Sequence, residues 1–427
     1  MNSREKKEIF KILINEFQEF PLPDVKKREL KAPFNLKKII TVFGPRRSGK
    51  SFYFYGLAKK LLNAGINKSR IVYVNFEDDR LLPLDISGLS DFTEAYFELY
   101  PENKKKEIFL FFDEIQNIKN WEIFVRRVYD KENCKIFITG SSSKLLSREI
   151  ATGLRGRTIS FALYPLNFRE YLSFKGEKIK KNIEYTEARF RIKKMLDEYF
   201  EFGGLPEIVL TKNKNIKRKI LKEYFDLLVF RDLAERFSLE NTTLLRDILK
   251  YFFTNITGLF SVNSFYKSIK QNQPVSRETV ANYVNFILET EYFRLLPKFS
   301  YSLKEQKVNP KKIIAIDNGL RNRVSFRFSS DEGKLAENLV GGFLAGRNEK
   351  VYYWRDKKEV DFVVKDNDIL RAINVSYGAL IDKREMDSLL EFSGKNKKAI
   401  LTLITKDTEK REKNINFIPL WKWLLKN

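Results

Sequence analysis

Two short runs hold the side chains best suited to chemistry. The first is Gly44-Pro45-Arg46-Arg47-Ser48-Gly49-Lys50-Ser51, which fits G-x-x-x-x-G-K-[ST]. In such a loop the glycines permit a tight path and successive amides point inward at an anion. All eight residues are therefore candidates for holding a polyphosphate. Lys50 is expected to reach the β- and γ-phosphates, and Ser51 to place its hydroxyl on Mg²⁺. The second run is Glu107-Ile108-Phe109-Leu110-Phe111-Phe112-Asp113-Glu114, apolar until it ends in two acids. Seen alone, an acidic pair at a strand end is often a solvated turn. After a phosphate loop it acquires two roles: Asp113 holds Mg²⁺, usually through water, and Glu114 orients and activates an attacking water. Glu114 points to hydrolysis rather than transfer to a small acceptor.

These groups need a scaffold. Lys38–Phe43 is β-branched and apolar, and Ser51–Leu62 is compatible with a helix stopped by Gly65. Strand, loop and helix together present backbone N–H groups at a helix start. The run at 107–114, apolar on both faces, suits a central parallel strand. Two more strands are expected, at Ile71–Phe76 before the acidic Glu77-Asp78-Asp79, and at Lys135–Thr139 before Gly140-Ser141-Ser142-Ser143. Thr139 and Ser141 are candidates for touching the γ-phosphate or the water, against the alternative that the serines cap a helix.

Composition narrows the chemistry. The 427 residues suffice for two to four domains, and 43% apolar content is ordinary for packed cores. Histidine is absent and Cys134 is the single cysteine, which excludes histidine-dependent hydrolases, an internal disulfide and a structural zinc site. Metal chemistry must run on oxygen ligands. No apolar window is long enough to span a membrane. The start, Met1–Lys7, is charged and lacks an apolar core, so secretion is not expected and a cytoplasmic location is. Net charge is +24, from 80 basic and 56 acidic residues. That excess favours a nucleic-acid partner, most simply DNA held with weak sequence specificity, over a mere lysine-rich bias.

The chain divides into five segments. Residues 1–36 form a helical leader, with Glu8–Phe20 stopped by Pro21-Leu22-Pro23. Residues 37–163 alternate strands and helices as an α/β core with a parallel sheet. Ile150–Thr158 is a polar, glycine-bearing loop within it. Residues 164–240 are helical, broken by Gly203-Gly204-Leu205-Pro206. Residues 241–312 suggest a winged helix. Ser276 caps a helix over Arg277–Glu289, with Val280, Tyr283, Val284, Ile287 and Leu288 on the apolar face and Arg277, Asn282 and Asn285 opposite. Phe293–Leu296 and Lys312–Ile316 would pair as the wing, with Lys304, Lys307 and Lys311 between them. Residues 313–427 form a last α/β domain. It has a helix at Lys334–Leu344 and strands at Val351–Trp354, Val360–Val364, Ile369–Val375 and Ile400–Ile404, and Trp421–Leu425 closes the chain.

In this order the motifs resemble a family of archaeal and bacterial AAA-type P-loop ATPases that carry a C-terminal, restriction-endonuclease-like domain of unknown function. Those that carry the resemblance are the loop at Gly44–Ser51, Phe112–Gln116, Ile138–Ser142, the Gly153–Arg157 loop, Tyr164-Pro165-Leu166 and Gly203–Pro206. Ala315–Leu320, Ala336-Glu337-Asn338 and Val360–Val363 complete the set. The resemblance implies a P-loop NTPase core followed by a helical lid, ATP and Mg²⁺ as cofactors, hydrolysis coupled to lid movement, and Arg155 or Arg157 as an arginine finger, within the chain or across a subunit boundary. It leaves self-association open. It also implies a nuclease site in the tail, with Glu337 and Asp361 at its first two positions. The remaining positions hold Asn374 and Ser376 where Glu and Lys are expected, which removes a metal ligand and a cation. A migrated lysine such as Lys383 could substitute, but the expectation is an inactive tail. The leading expectation is thus an Mg²⁺-dependent ATPase that acts on or with DNA. Its rivals are a nucleotide-gated protein-binding switch with negligible turnover and an ATP-regulated DNA nuclease.

Overall fold

The computed structural model describes residues 3–81, 84, 86–140, 153–179, 182–271, 274–324, 332–347, 350–367 and 369–426. It divides into two compact units, Met1–Leu163 and Tyr164–Asn427.

The first unit is built on five parallel strands: β1 (Ile39–Phe43), β2 (Ile71–Asn75), β3 (Ile108–Asp113), β4 (Cys134–Gly140) and β5 (Thr158–Ala162), in the order β2-β3-β4-β1-β5. Every residue of β3 is buried, which is why its sequence shows no alternation. Helices α2 (Lys50–Asn63), α3 (Ile86–Leu99) and α4 (Trp121–Lys131) make the crossovers. Phe111 stacks on Phe137 across β3 and β4, their ring centroids 4.7 Å apart. The 1–36 segment is not a separate leader. Its helix α1 (Ser3–Glu19) buries Phe10 and Ile14 in the same core as Phe92 and Tyr96, with Phe10 edge-on to Phe92. Its polar face is tied down too, by Lys7 on Glu94 and Glu98 and by Arg80 on Glu16. Amphipathic spacing gives a buried face without naming its partner, so this docking is not legible in the helix's own residues.

β5 has no counterpart among the strands expected from the sequence, where none is assigned to Thr158–Ala162. Of the loop expected over 150–158, residues 154–157 run as turn and loop, Thr158 opens the strand, and 150–152 lie outside the described residues. The segment pairs in parallel with β1, Ile39 opposite Thr158 and Phe43 opposite Ala162. As an edge strand it is half-buried with polar residues interspersed, so it lacks the apolar run that marks β3.

In the second unit, one continuous apolar core draws side chains from Leu166 to Leu424. The three segments expected at 164–240, 241–312 and 313–427 therefore share packing. Gly203, at φ 73°, explains one breaker: a Cβ there would stand 2.1 Å from Asp317 Oδ1. Buried Asp317 accepts hydrogen bonds from the Gly204 amide (2.6 Å) and the Gly319 amide (2.8 Å), tying the first helices to the helix Asn318–Val324. Next come helix Thr242–Thr254, β6 (Leu259–Phe260), helices Val262–Ile269 and Arg277–Glu289, β7 (Phe293–Leu296), a short helix Leu303–Val308 and β8 (Lys311–Ala315), with sheet order β6-β8-β7. Val280, Tyr283, Val284 and Ile287 are buried, while Arg277, Asn282 and Asn285 are exposed, as their spacing predicts. The last element is a six-stranded sheet, β13-β14-β12-β11-β10-β9. Helix Glu332–Gly346 precedes β9 (Lys350–Arg355), β10 (Glu359–Asp366) and β11 (Ile369–Ser376), an antiparallel run. Helix Lys383–Lys395 then leads to β12 (Ile400–Thr405), parallel to β11. β13 (Lys410–Glu412) and β14 (Ile415–Pro419), neither expected, close the sheet, and Trp421 lies in a terminal helix, Leu420–Lys426.

Candidate phosphate-loop site

The loop 44–51 joins β1 to α2. Gly44 sits at φ 152°, and a Cβ on it would stand 2.2 Å from the Leu163 carbonyl oxygen. Only glycine lets the loop leave β1 against that edge. Gly49, in the left-handed region, caps α2, so the helix begins at Lys50. Arg47 also has positive φ, in keeping with a loop bent around a ligand. From the amino-terminal strap, Arg28 donates to the Ser48 carbonyl (2.8 Å) and braces the loop from outside.

Lys50 is buried at 5% exposure. Its Nζ donates to the carbonyls of Gly44 (3.2 Å) and Pro45 (3.3 Å) and lies 3.4 Å from Glu114 Oε1. The lysine of the first motif and the second acid of the other are thus brought together from elements separated in sequence. They meet because β3 and β1 both flank β4.

Asp113 ends β3 with only 1% exposure. Tyr73 donates to its Oδ2 at 2.6 Å, Thr139 donates to its Oδ1, and Ser51 adds a further hydrogen bond. Burial, then the neighbouring Glu114 charge, raises its pKa, against the pull of those three hydroxyls. A nearby cation would reverse that balance.

Glu114 has positive φ, an outlier in a non-glycine residue at the site. Its amide donates to Thr139 Oγ1 at 3.0 Å, and its Oε2 accepts from Gln116 Nε2 at 2.5 Å. Thr139, fully buried, therefore orients both acids at once. Its hydroxyl thus meets Asp113 and Glu114, at the end of β4 where the sequence placed a polar candidate. Ser141, the alternative, lies outside the described residues.

The arginines are placed elsewhere. Arg157 immediately precedes β5, and its carbonyl accepts from the Ile39 amide at the start of β1. The phosphate loop leaves the other end of β1, ~13 Å away at the usual strand rise. Arg157 also forks Asp130 through Nε (2.8 Å) and Nη2 (3.0 Å). Arg155 is exposed in the same turn. Both therefore stand at the end of β1 opposite to the one that the phosphate loop leaves. Tyr73, Thr139, Gln116, Arg28 and Glu77 complete the site instead. Glu77 pairs with Arg46 at 2.7 Å, while Asp78 is turned to Arg80.

The residues fit a polyphosphate with Mg²⁺. Ser48 Oγ is fully buried within the loop and has no hydrogen-bond partner, an unmet polar group of the kind a bound anion could satisfy. Ser51 and Asp113 supply the oxygen ligands that Mg²⁺ prefers.

Residues 36–172 match the model of an AAA domain, while residues 193–331 and 332–423 each match a domain of unknown function (DUF8612 and DUF4143). An uncharacterized protein of Methanocaldococcus jannaschii is 36% identical over 418 residues, covering 93% of this chain and 90% of its own. An uncharacterized protein of Haemophilus influenzae is 29% identical, covering 85% and 88% respectively. Among solved structures, the Walker-type ATPase PABY2304 of Pyrococcus abyssi aligns at 13% identity and TM-score 0.43, covering 74% of this chain and 95% of that one. The Aeropyrum pernix ORC1 protein in complex with DNA aligns at 12% and TM-score 0.30, covering 80% and 94%.

Proposed function

Because this chain belongs to the family in which an AAA domain precedes two domains of unknown function, we propose that it is a Mg²⁺-dependent ATPase whose turnover serves a nucleic-acid partner. The observation that carries the proposal is the convergence of Lys50, Asp113 and Glu114 beside a loop with an unmet buried hydroxyl. Loop amides and Lys50 would hold the phosphates. Ser51 and Asp113 would hold Mg²⁺, which when bound neutralises charge shared by the β- and γ-oxygens. Triphosphate oxygens would compete for the Lys50 ammonium and draw it from Glu114. Glu114 Oε1, so released, becomes a base for the water, while Gln116 keeps Oε2 in place. Arg155 could serve only the site of a second copy of this chain, so an arginine finger implies assembly.

Three features support the nucleic-acid partner. One is the +24 charge. Another is the winged-helix order of elements from Thr242 to Ala315. The last is a wing helix carrying exposed Lys304 and Lys307 beside exposed Tyr301. We also read the final sheet as nuclease-like, on the helix Glu332–Gly346, the β9-β10-β11 run and parallel β12.

ATP turnover and nucleotide retention test the reading. Lys50→Ala should lose ATP binding, because it removes the buried ammonium that lies against the loop. Glu114→Gln should keep ATP bound and slow hydrolysis by about 10²- to 10⁴-fold. Wild-type turnover in Glu114→Gln would remove the base and with it the mechanism. Tight ATP binding with no turnover in the wild-type chain, with or without DNA, would favour a nucleotide-gated switch.

A further inference from the structure

The four nuclease-like positions in the second unit are all satisfied by protein groups. Glu337 and Asp361 face a lysine that comes from another sheet. Lys312 lies on β8, paired with Leu259 and Leu296, and is 1% exposed. Its Nζ is 2.8 Å from Glu337 Oε1, 2.9 Å from Glu359 Oε1 and 3.3 Å from Asp361 Oδ1. The other Asp361 oxygen accepts from the Val375 amide at 2.9 Å. Asn374 accepts from the Asp361 amide and donates to Glu385 and Ser388. Ser376 accepts from the Asp382 amide. Lys383, the lysine suggested as a migrant, is exposed at the start of its helix.

A divalent ion held by these carboxylates would stand ~2.1 Å from each oxygen, within the volume that Nζ fills. A lysine stabilising a scissile phosphate must instead present its ammonium to the substrate. Lys312 spends it on three carboxylates in the interior. With Lys312 in place, the residues present therefore do not fit a nuclease metal.

We propose that the Lys312 ammonium is a built-in cation that replaces the divalent metal among Glu337, Glu359 and Asp361, and so fastens β8 to the C-terminal sheet. Burial alone would lower the Lys312 pKa, but Glu337, Asp361 and Glu359 outweigh it and keep the side chain charged. Burial and the Asp361 charge raise Glu337, only partly offset by Lys312, as expected where three acids share one monovalent cation. The Lys312 side chain also passes the Phe362 ring, Nζ 5.6 Å from its centroid, which adds apolar packing that an ion would not give. The site thus needs no metal to be folded.

The test titrates Mn²⁺ into the nucleotide-free full chain and follows free Mn²⁺ by electron paramagnetic resonance. Wild type and Asp361→Asn should bind Mn²⁺ alike. Lys312→Ala should gain one equivalent, and Asp361→Asn in the same chain should abolish the gain. A wild-type chain that binds one equivalent more than Asp361→Asn overturns the proposal, as does a folded Lys312→Ala chain that gains none. Lys312→Ala strands buried carboxylates, so its thermal transition is followed as well. A transition lowered from wild type and restored by Mn²⁺ supports the replacement, and one that Mn²⁺ leaves unmoved overturns it. If that variant does not fold, the comparison of wild type with Asp361→Asn decides by itself.

Discussion

At the scale of single residues, the phosphate-loop site is a set of acids already engaged by donors. Glu114 gives one oxygen to Lys50 and the other to Gln116. On the proposed mechanism only the first contact would break when phosphates arrive, and Gln116 would hold the carboxylate in place through the cycle. Gln116→Ala should leave KM for ATP nearly unchanged and lower kcat by up to about 10²-fold, the cost of a misplaced catalytic group. Steady-state kinetics check this; a rise in KM with kcat intact would instead make Gln116 part of the binding surface. This level of the site was only half legible in the sequence. Lys50, Ser51, Asp113 and Glu114 sit in contiguous motifs whose spacing is set by local backbone geometry, so type and role could be read together. Tyr73 and Arg28 are defined by partners in space that nothing in the sequence around them names, and Gln116, although it ends the Phe112–Gln116 motif, takes its role from its contact with Glu114. Lys312 is the extreme case, since its partners arrive from a helix and a strand much later in the chain.

At the scale of elements, what the sequence could supply depended on burial. β3 was readable because it is apolar on both faces, and the helix Arg277–Glu289 because one face is buried and one is wet. β5 was not, because an edge strand with half-buried residues looks like a polar loop. The helices of the second unit carry another feature with a measurable consequence. Lys217 on helix Lys214–Leu227 is 1% exposed and donates to Glu198 on helix Ala188–Phe202 at 2.5 Å, with Lys175 on the same carboxylate at 3.0 Å. Burial pushes the Glu198 pKa up, but the two lysines more than offset it and bring it down to about 2. The unfolded chain binds a proton here at higher pH than the folded one. Stability from this pair is therefore complete above the ordinary glutamate pKa and is lost as pH falls toward about 2. Glu198→Gln should destabilise the chain most at pH 5 and above, and the difference from wild type should shrink as pH falls. Urea unfolding of both chains across that range measures it; a difference that grows on acidification would mean the lysines do not hold Glu198 ionised.

At the scale of the whole chain, the charge excess and the fold of the second unit lead to one quantitative expectation about the proposed partner. Each lysine that neutralises a DNA phosphate releases condensed counterion, so log K falls with log salt by about 0.9 per contact. Among the described residues, Lys304 and Lys307 are exposed on the short helix between β7 and β8, and Arg277, Asn282 and Asn285 are exposed on the helix that Ser276 caps. If this unit meets DNA as a winged helix does, the capped helix supplies contacts in the groove and the lysines supply phosphate contacts. Charge to phosphate carries no sequence information, so binding should be steep in salt and weak in sequence preference. Fluorescence anisotropy with duplexes of unrelated sequence, over a series from low to physiological salt, gives the slope. Replacing Lys304 and Lys307 by Ala should reduce its magnitude by about 2 and weaken every duplex to a similar degree. Arg277→Ala should narrow any difference between duplexes. A slope unchanged by the double replacement would move the contact away from the wing. No binding even at low salt would leave the +24 charge without a nucleic-acid role and make a protein the partner that turnover serves.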